Sequence, residues 1–291
     1  MTWRTVIITN QAKLDYKMGY MAVRSQSNTT KIYINEIHTL IIESTFVSLT
    51  TALLSELAKN KVKVIFCDEK HNPSSELISY YGAHDTSAKI REQVKWKKSI
   101  KDAIWQGIVK NKIHQQMKHL EDLKIQKFEL LKEYIDQVEN GDSTNREGHA
   151  AKVYFNALFG NTFSRSDENG INASLNYGYG ILLSVFNREI VASGYLTQLG
   201  IFHDNMFNQF NLSSDFMEPF RILIDRRVIE LMPSELTKEV KYEIVSIMNE
   251  YVIFDGQRTV INNAIKRYCK CIFDALANGD ESMMKFYKNE L

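Results

Sequence analysis

The spacing of apolar residues changes near residue 80, and that change constrains the fold more than any single motif does. On its N-terminal side, β-branched and aromatic residues alternate with polar ones over Trp3–Ile8 and Leu14–Val23, and again over Lys31–Ile37 and Leu40–Glu43. A period of two sends successive side chains to opposite faces, so these stretches are expected as strands. One segment departs from it: in Phe46–Lys59, Leu49, Leu53 and Leu57 recur every fourth residue, which is helical spacing. Val62–Cys67 reads as a buried strand, stopped by the turn formers His71-Asn72-Pro73-Ser74.

Beyond Ser79–Ser87, a stretch of glycine and small polar residues, helical spacing runs almost throughout. Thr86 or Ser87 can cap the first helix. Ile90, Val94, Ile100, Ile104 and Ile108 carry its apolar stripe, then Leu120, Leu123, Phe128, Leu131 and Ile135, up to the turn Asn140-Gly141-Asp142-Ser143. Later helices are expected over 175–192, 220–230, 239–251 and 260–276, with Pro219 and Pro233 beside helix starts. The expected class is therefore α+β: a small, mainly β N-terminal domain (1–78), a linker (79–87) and a larger all-α domain (88–291).

Composition excludes some functions. No apolar run approaches the ~18 residues of a membrane span, and Met1-Thr2-Trp3-Arg4 does not open a secretory signal. The cysteines Cys67, Cys269 and Cys271 lack zinc-site spacing and read as reduced packing thiols of a cytoplasmic protein. Net charge is only +1, but its distribution is uneven. Between Lys89 and Lys118 nine basic residues (Lys89, Arg91, Lys95, Lys97, Lys98, Lys101, Lys110, Lys112 and Lys118) face two acidic ones, with Trp96 and Trp105 interleaved. Such a run suits either phosphates or a solvated helix face.

The candidate chemistry lies in two places. The stretch 200–225 sets His203, Asp215 and Glu218 close together in a polar, asparagine-rich neighbourhood ahead of an apolar helical run. Glu147, in Arg146-Glu147-Gly148-His149, is the candidate third ligand. Both acids have a structural explanation too. Thr144-x-x-Glu147 and Asp215-x-x-Glu218 have capping-box spacing, and His203, next to Ile201 and Phe202, could be a packed, hydrogen-bonded histidine. Pro219 makes a simple cap awkward for Glu218, because it removes an N–H from the first turn. Two oxygen ligands and an imidazole would suit Mg²⁺ or Mn²⁺ rather than zinc.

Four motifs in order give the chain a family likeness. Arg146-Glu147-Gly148-x-Ala150-Ala151-x-x-Tyr154-Phe155, Asn172-Ala173-x-Leu175-Asn176-Tyr177-Gly178-Tyr179, Leu199-Gly200-x-x-His203 and Asp215-Phe216-Met217-Glu218-Pro219-Phe220-Arg221 resemble the motif series of the CRISPR adaptation integrases. These are the CRISPR-associated endonucleases that form the catalytic subunit of spacer acquisition, and the likeness is to the type II branch. Ile42-Glu43-Ser44-Thr45 and Asn72-Pro73-Ser74 are similar as well. The resemblance implies that Glu147, His203 and Glu218 are catalytic and ligate Mg²⁺ or Mn²⁺, with Asp215 as an auxiliary acid. Many members carry aspartate where this chain has Glu218, and some relatives carry a second histidine where it has Phe202.

The implied reaction is attack by the 3′-hydroxyl of a captured DNA fragment on a phosphodiester at the edge of a CRISPR repeat, which inserts the fragment as a new spacer in antiviral defence. Lys89, Arg91, Lys95, Lys97, Lys98 and Arg146 would then hold DNA. The implied partners are a second copy of the chain, paired through the β domain, and a small subunit of the adaptation complex. The effector nuclease of a type II system is a further expected partner. Two other readings stay open: a metal-dependent nuclease on branched or single-stranded DNA, and a non-catalytic helical scaffold whose acids only cap helices.

Overall fold

The computed structural model describes residues 4–26, 28–69, 73–77 and 83–289. Trp3, Ser27, the turn residues His71 and Asn72, and residues 79–82 of the expected linker lie outside the described residues.

The alternating segments form strands, in more pieces than the pattern suggested. Strands β1 (Arg4–Ile8), β2 (Ala12–Lys17), β3 (Tyr20–Arg24), β4 (Thr29–Tyr33), β5 (Ile37–Ile42) and β6 (Val47–Leu49) precede helix α1 (Thr51–Lys59), and β7 (Lys63–Cys67) and β8 (Pro73–Leu77) follow it. The expected single strand over 14–23 is a hairpin. Lys17 pairs with Tyr20, and the two loop residues Met18 and Gly19 both take positive φ (49° and 85°), as a twisted two-residue turn requires. Helix α1 starts five residues after Phe46 because Thr50 caps it, accepting from the N–H of Leu53 at 3.3 Å. Pro73 opens β8, an edge strand, where a missing N–H costs no ladder bond in the sheet interior.

Two four-stranded sheets result, in the orders β1-β5-β7-β8 and β4-β3-β2-β6. In the first, β1, β5 and β7 run parallel, with Val6 opposite Leu40 and Leu40 opposite Val64. All six residues of β5 are buried. Its alternation explains this: Leu40, Ile42 and Val64 pack with Leu14, Leu53 and Leu57 in the N-terminal core, while Ile41, Ile65 and Cys67 join the core of the helical region. The sheet is covered on both faces.

The helical region comprises α2 (Thr86–Val94), α3 (Lys98–Asp122), α4 (Phe128–Asp136), α5 (Arg146–Phe159), α6 (Gly170–Ala192), α7 (Asn211–Met217), α8 (Arg221–Leu231), α9 (Lys238–Ser246) and α10 (Ile261–Asn278). It is not all helix. Strands β9 (Tyr251–Phe254), β10 (Gln257–Val260) and β11 (Tyr287–Asn289) form an antiparallel sheet in the order β10-β9-β11. The turn Asp255-Gly256, with φ of 53° and 72°, folds β9 back on β10 and so ends the helical spacing. The α+β class stands, with this small sheet added to its helical part. Cys67, Cys269 and Cys271 are free thiols, the first two buried. Among the described residues no helix is long and apolar enough to cross a membrane.

Candidate active site

Glu147 stands in the first turn of α5, but the expected Thr144-x-x-Glu147 capping box does not form. Asn145 is the cap residue, in a left-handed conformation that asparagine tolerates, and its side-chain oxygen accepts from Gly148 N at 3.3 Å. The buried Asp142 carboxylate takes the preceding orphan donors, from Arg146 N at 2.8 Å and Glu147 N at 3.0 Å. With the helix end satisfied by Asp142 and Asn145, the Glu147 side chain is free to turn elsewhere. It ion-pairs with Lys112 of α3.

Glu218 is likewise no cap. Asp215 lies inside α7 rather than at a helix start, and Pro219 divides α7 from α8 by a single 3₁₀ turn, Glu218–Phe220. At that break Glu218 is buried, with one carboxylate oxygen on Lys112 and the other 3.0 Å from Nε of Arg221. Burial alone would push the Glu218 carboxyl up, but Arg221 and Lys112 outweigh it and hold it below the usual range. Lys112 is raised for the complementary reason: burial opposes its charge, and Glu218 and Glu147 more than restore it.

His203 is held from behind. Asp215, fully buried, accepts from the backbone N–H of Ile201 (2.7 Å), Phe202 (3.1 Å) and His203 (3.0 Å), and lies 2.6 Å from Nδ1 of the His203 ring. The loop wraps this closely only because residue 200 is glycine: a Cβ there would meet the His203 carbonyl oxygen at 2.2 Å. The bond to Asp215 raises the His203 pKa, against part-burial. It leaves Nε2 as the ring nitrogen not engaged by Asp215. Phe202 stacks on Trp105 at 4.3 Å and an interplanar angle of 6°.

Glu147, His203 and Glu218 thus line one pocket of about 300 Å³, together with Lys112, Arg165, Tyr179, Arg221 and Asp225. Asp215 stands behind His203 and is not among the lining residues. The two glutamates share one cation position, which the Lys112 ammonium fills. As placed, no three His, Cys, Asp or Glu side chains among the described residues form a ready metal-binding group. The donor set nonetheless fits a hard divalent cation: the carboxylates already converge on a positive charge, and the imidazole faces the same pocket.

Lys112, Arg165, Arg221, Tyr179 and Asp225 were not singled out by sequence reasoning as site residues. Lys112 had a legible signal. The stripe Ile100, Ile104, Ile108 reaches Lys112 at its next step, so this one lysine of the basic run occupies a core-facing position. Asp225 had none. It is buried under the Tyr179 hydroxyl, which donates to it, and burial brings its pKa up to about 6 despite that bond.

The basic run divides. Trp105 is buried and Trp96 packs against the core beside Tyr195, so neither is interleaved on a basic face. Lys95 and Lys97 are exposed at the junction of α2 and α3, and Arg91 is exposed on α2. Lys98 is exposed but pairs with Asp102 at 2.8 Å, Lys89 pairs with Glu92 at 3.2 Å, and Arg146 lies over the Tyr134 ring.

Comparison with known proteins shows the family of the chain. A family model described as "CRISPR associated protein Cas1" matches residues 5–263. The CRISPR-associated endonuclease Cas1 of Neisseria meningitidis serogroup C (strain 8013) is 33% identical over 266 residues, 88% of this chain and 86% of that one. The chain belongs to the Cas1 family. The same fold occurs in a casposase bound to its integration product (TM-score 0.78, 18% identity, 97% of this chain and 92% of that one). It also occurs in a Cas6-RT-Cas1–Cas2 complex (TM-score 0.77, 20% identity), where this chain, matched over 99% of its length, spans only 36% of the other.

Proposed function

We propose that this chain is a divalent-cation-dependent DNA integrase that joins captured DNA fragments to a CRISPR array as new spacers. The observation that carries the reading is the convergence of Glu147 and Glu218 on one cation position, in a pocket that His203 also lines. Glu147, Glu218 and His203 would hold Mg²⁺ or Mn²⁺. Such an ion supplies polarisation of the phosphate and stabilises charge on the attacking and leaving oxygens. Asp215 fixes the ring orientation of His203, and Arg221 keeps Glu218 ionised. The site needs no covalent intermediate, since a 3′-hydroxyl can attack the phosphodiester directly.

The relatives support this reading: one is named an endonuclease, and two structures with this fold are a casposase on its integration product and an assembly containing Cas2. We assign as partners DNA, a second copy of this chain, a small Cas2-like subunit and the effector nuclease of a type II system. Exposed Tyr16, Met18, Tyr20 and Tyr33, on the β2–β3 hairpin and neighbouring β4, offer an apolar edge for pairing of two copies.

The test incubates the protein with a fragment bearing free 3′-hydroxyls, a repeat-containing plasmid and Mn²⁺. Covalent joining of fragment to plasmid is expected, and it should disappear in Glu147→Gln, His203→Ala and Glu218→Gln. Cleavage without joining would replace the integrase by a nuclease of the same site, and chemistry retained by all three variants would reject the site.

A further inference from the structure

The motif Asn172-Ala173-x-Leu175-Asn176-Tyr177-Gly178-Tyr179 has no part in the chemistry assigned so far, and three of its residues converge on Arg165. The Arg165 guanidinium donates one N–H to the side-chain oxygen of Asn172 and another, at 2.6 Å, to that of Asn176. Asn172 is itself fixed: its amide donates to the carbonyls of Ser164 (2.8 Å) and Asp167 (2.9 Å). The guanidinium lies 5.5 Å from the ring centroid of Tyr179 and 5.7 Å from that of Phe155. A second cation, Arg221, lies 4.6 Å from the centroid of the same Tyr179 ring.

All the polar partners of Arg165 in this arrangement are neutral amides. Among the described residues no carboxylate forms an ion pair with it, whereas Lys112 pairs with Glu147 and Glu218 and Arg221 pairs with Glu218. The nearby carboxylate Asp225 takes its hydrogen bond from Tyr179 instead. Two neutral amides and two rings hold the planar cation in place, and its side chain lines the same pocket as the two glutamates. A fixed fork of donors with no ion-paired carboxylate matches the geometry of a phosphate oxygen pair.

We propose that Arg165, set by Asn172 and Asn176, clamps a backbone phosphate of the DNA strand whose neighbouring phosphodiester enters the glutamate pocket; this rests on the DNA-joining reading above. The asparagines are positioning residues, and Arg165 is the contact.

The test measures binding of a fluorescent duplex with single-stranded 3′ ends across a salt series, in EDTA so that no chemistry runs. Asn176→Asp places a carboxylate on Arg165 from an exposed position, neutralising the clamp without removing it, and Arg165→Met removes it. Each variant is expected to bind about tenfold more weakly at low salt, with the slope of log K against log salt reduced by about 0.7–0.9. Mn²⁺ affinity by calorimetry is expected to stay at the wild-type value, because Arg165 does not touch the glutamates. Folded Asn176→Asp protein with wild-type affinity and slope overturns the clamp. Wild-type protein that binds DNA without salt dependence overturns the DNA-joining reading itself, and the clamp with it.

Discussion

Asp215 grips His203 twice, 3.0 Å from its backbone nitrogen and 2.6 Å from ring Nδ1, from a fully buried position in α7. One carboxylate therefore sets both the loop that carries the histidine and the rotation of its ring. Removing that charge should affect stability and chemistry together. Asp215→Asn is expected to cost about 2–4 kcal/mol, since charge-assisted bonds to three backbone N–H groups are weakened at a buried site. Activity should fall at least tenfold more than stability explains, given the usual effect of losing a ligand's orienting partner. Denaturant unfolding and initial rates of fragment joining measure the two; wild-type values in both would refute the role.

The same contact predicts a pH dependence. Its bond to Asp215 lifts the His203 pKa above the ordinary value of 6.5, against part-burial. The folded state thus favours the protonated ring. That contribution is complete below the unfolded pKa and is lost as pH rises through the higher folded value. In cation-free buffer, the melting-temperature gap between wild type and His203→Asn should therefore be larger at about pH 5.5 than at about pH 9. A gap that widens with pH has the wrong sign.

Lys112 is the counter-charge for two glutamates, one of them buried. Lys112→Met should destabilise cation-free protein by about 3 kcal/mol, the low end of the cost of stranding a buried charge, because Glu147 is partly solvated. Mn²⁺ should raise the melting temperature of this variant more than that of wild type. Equal shifts in thermal scans would mean that the ammonium and the added ion do not share a position.

Loss of a proposed ligand should be severe. Glu147→Gln or Glu218→Gln is expected to slow joining by about a thousandfold or more, the scale of several kcal/mol of transition-state stabilisation. Single-turnover rates with saturating DNA check this, and a slowing under tenfold would exclude a ligand role.

The exposed junction of α2 and α3 should contribute charge rather than chemistry. Replacing Lys95, Lys97 and Lys98 with alanine is expected to weaken DNA binding and flatten its salt dependence, with Lys98 contributing least because Asp102 already pairs with it. An unchanged salt slope would make this face merely solvated.

Local patterns determined much of this molecule. The apolar run 62–67 placed β7 to within a residue, and helical spacing placed α1 and the long helical stretch that contains α3, because each depends on side chains a few residues apart; β5, expected in two pieces over 31–37 and 40–43, instead runs unbroken from Ile37 to Ile42. Glu147, His203 and Glu218 could be named from four ordered motifs. What those motifs could not decide was which side chain answers which. Thr144 has cap spacing, yet Asp142 and Asn145 close the end of α5; Asp215 has cap spacing, yet it turns inward to hold a histidine twelve residues earlier. Lys112 reads as one more surface cation until α3 packs against α5 and the break at Pro219, when its ammonium meets acids 35 and 106 residues away. Sequence periodicity specifies which face a residue occupies. The partner across that face is chosen by long-range packing, and here that choice brought a lysine and two arginines into the pocket of the glutamates.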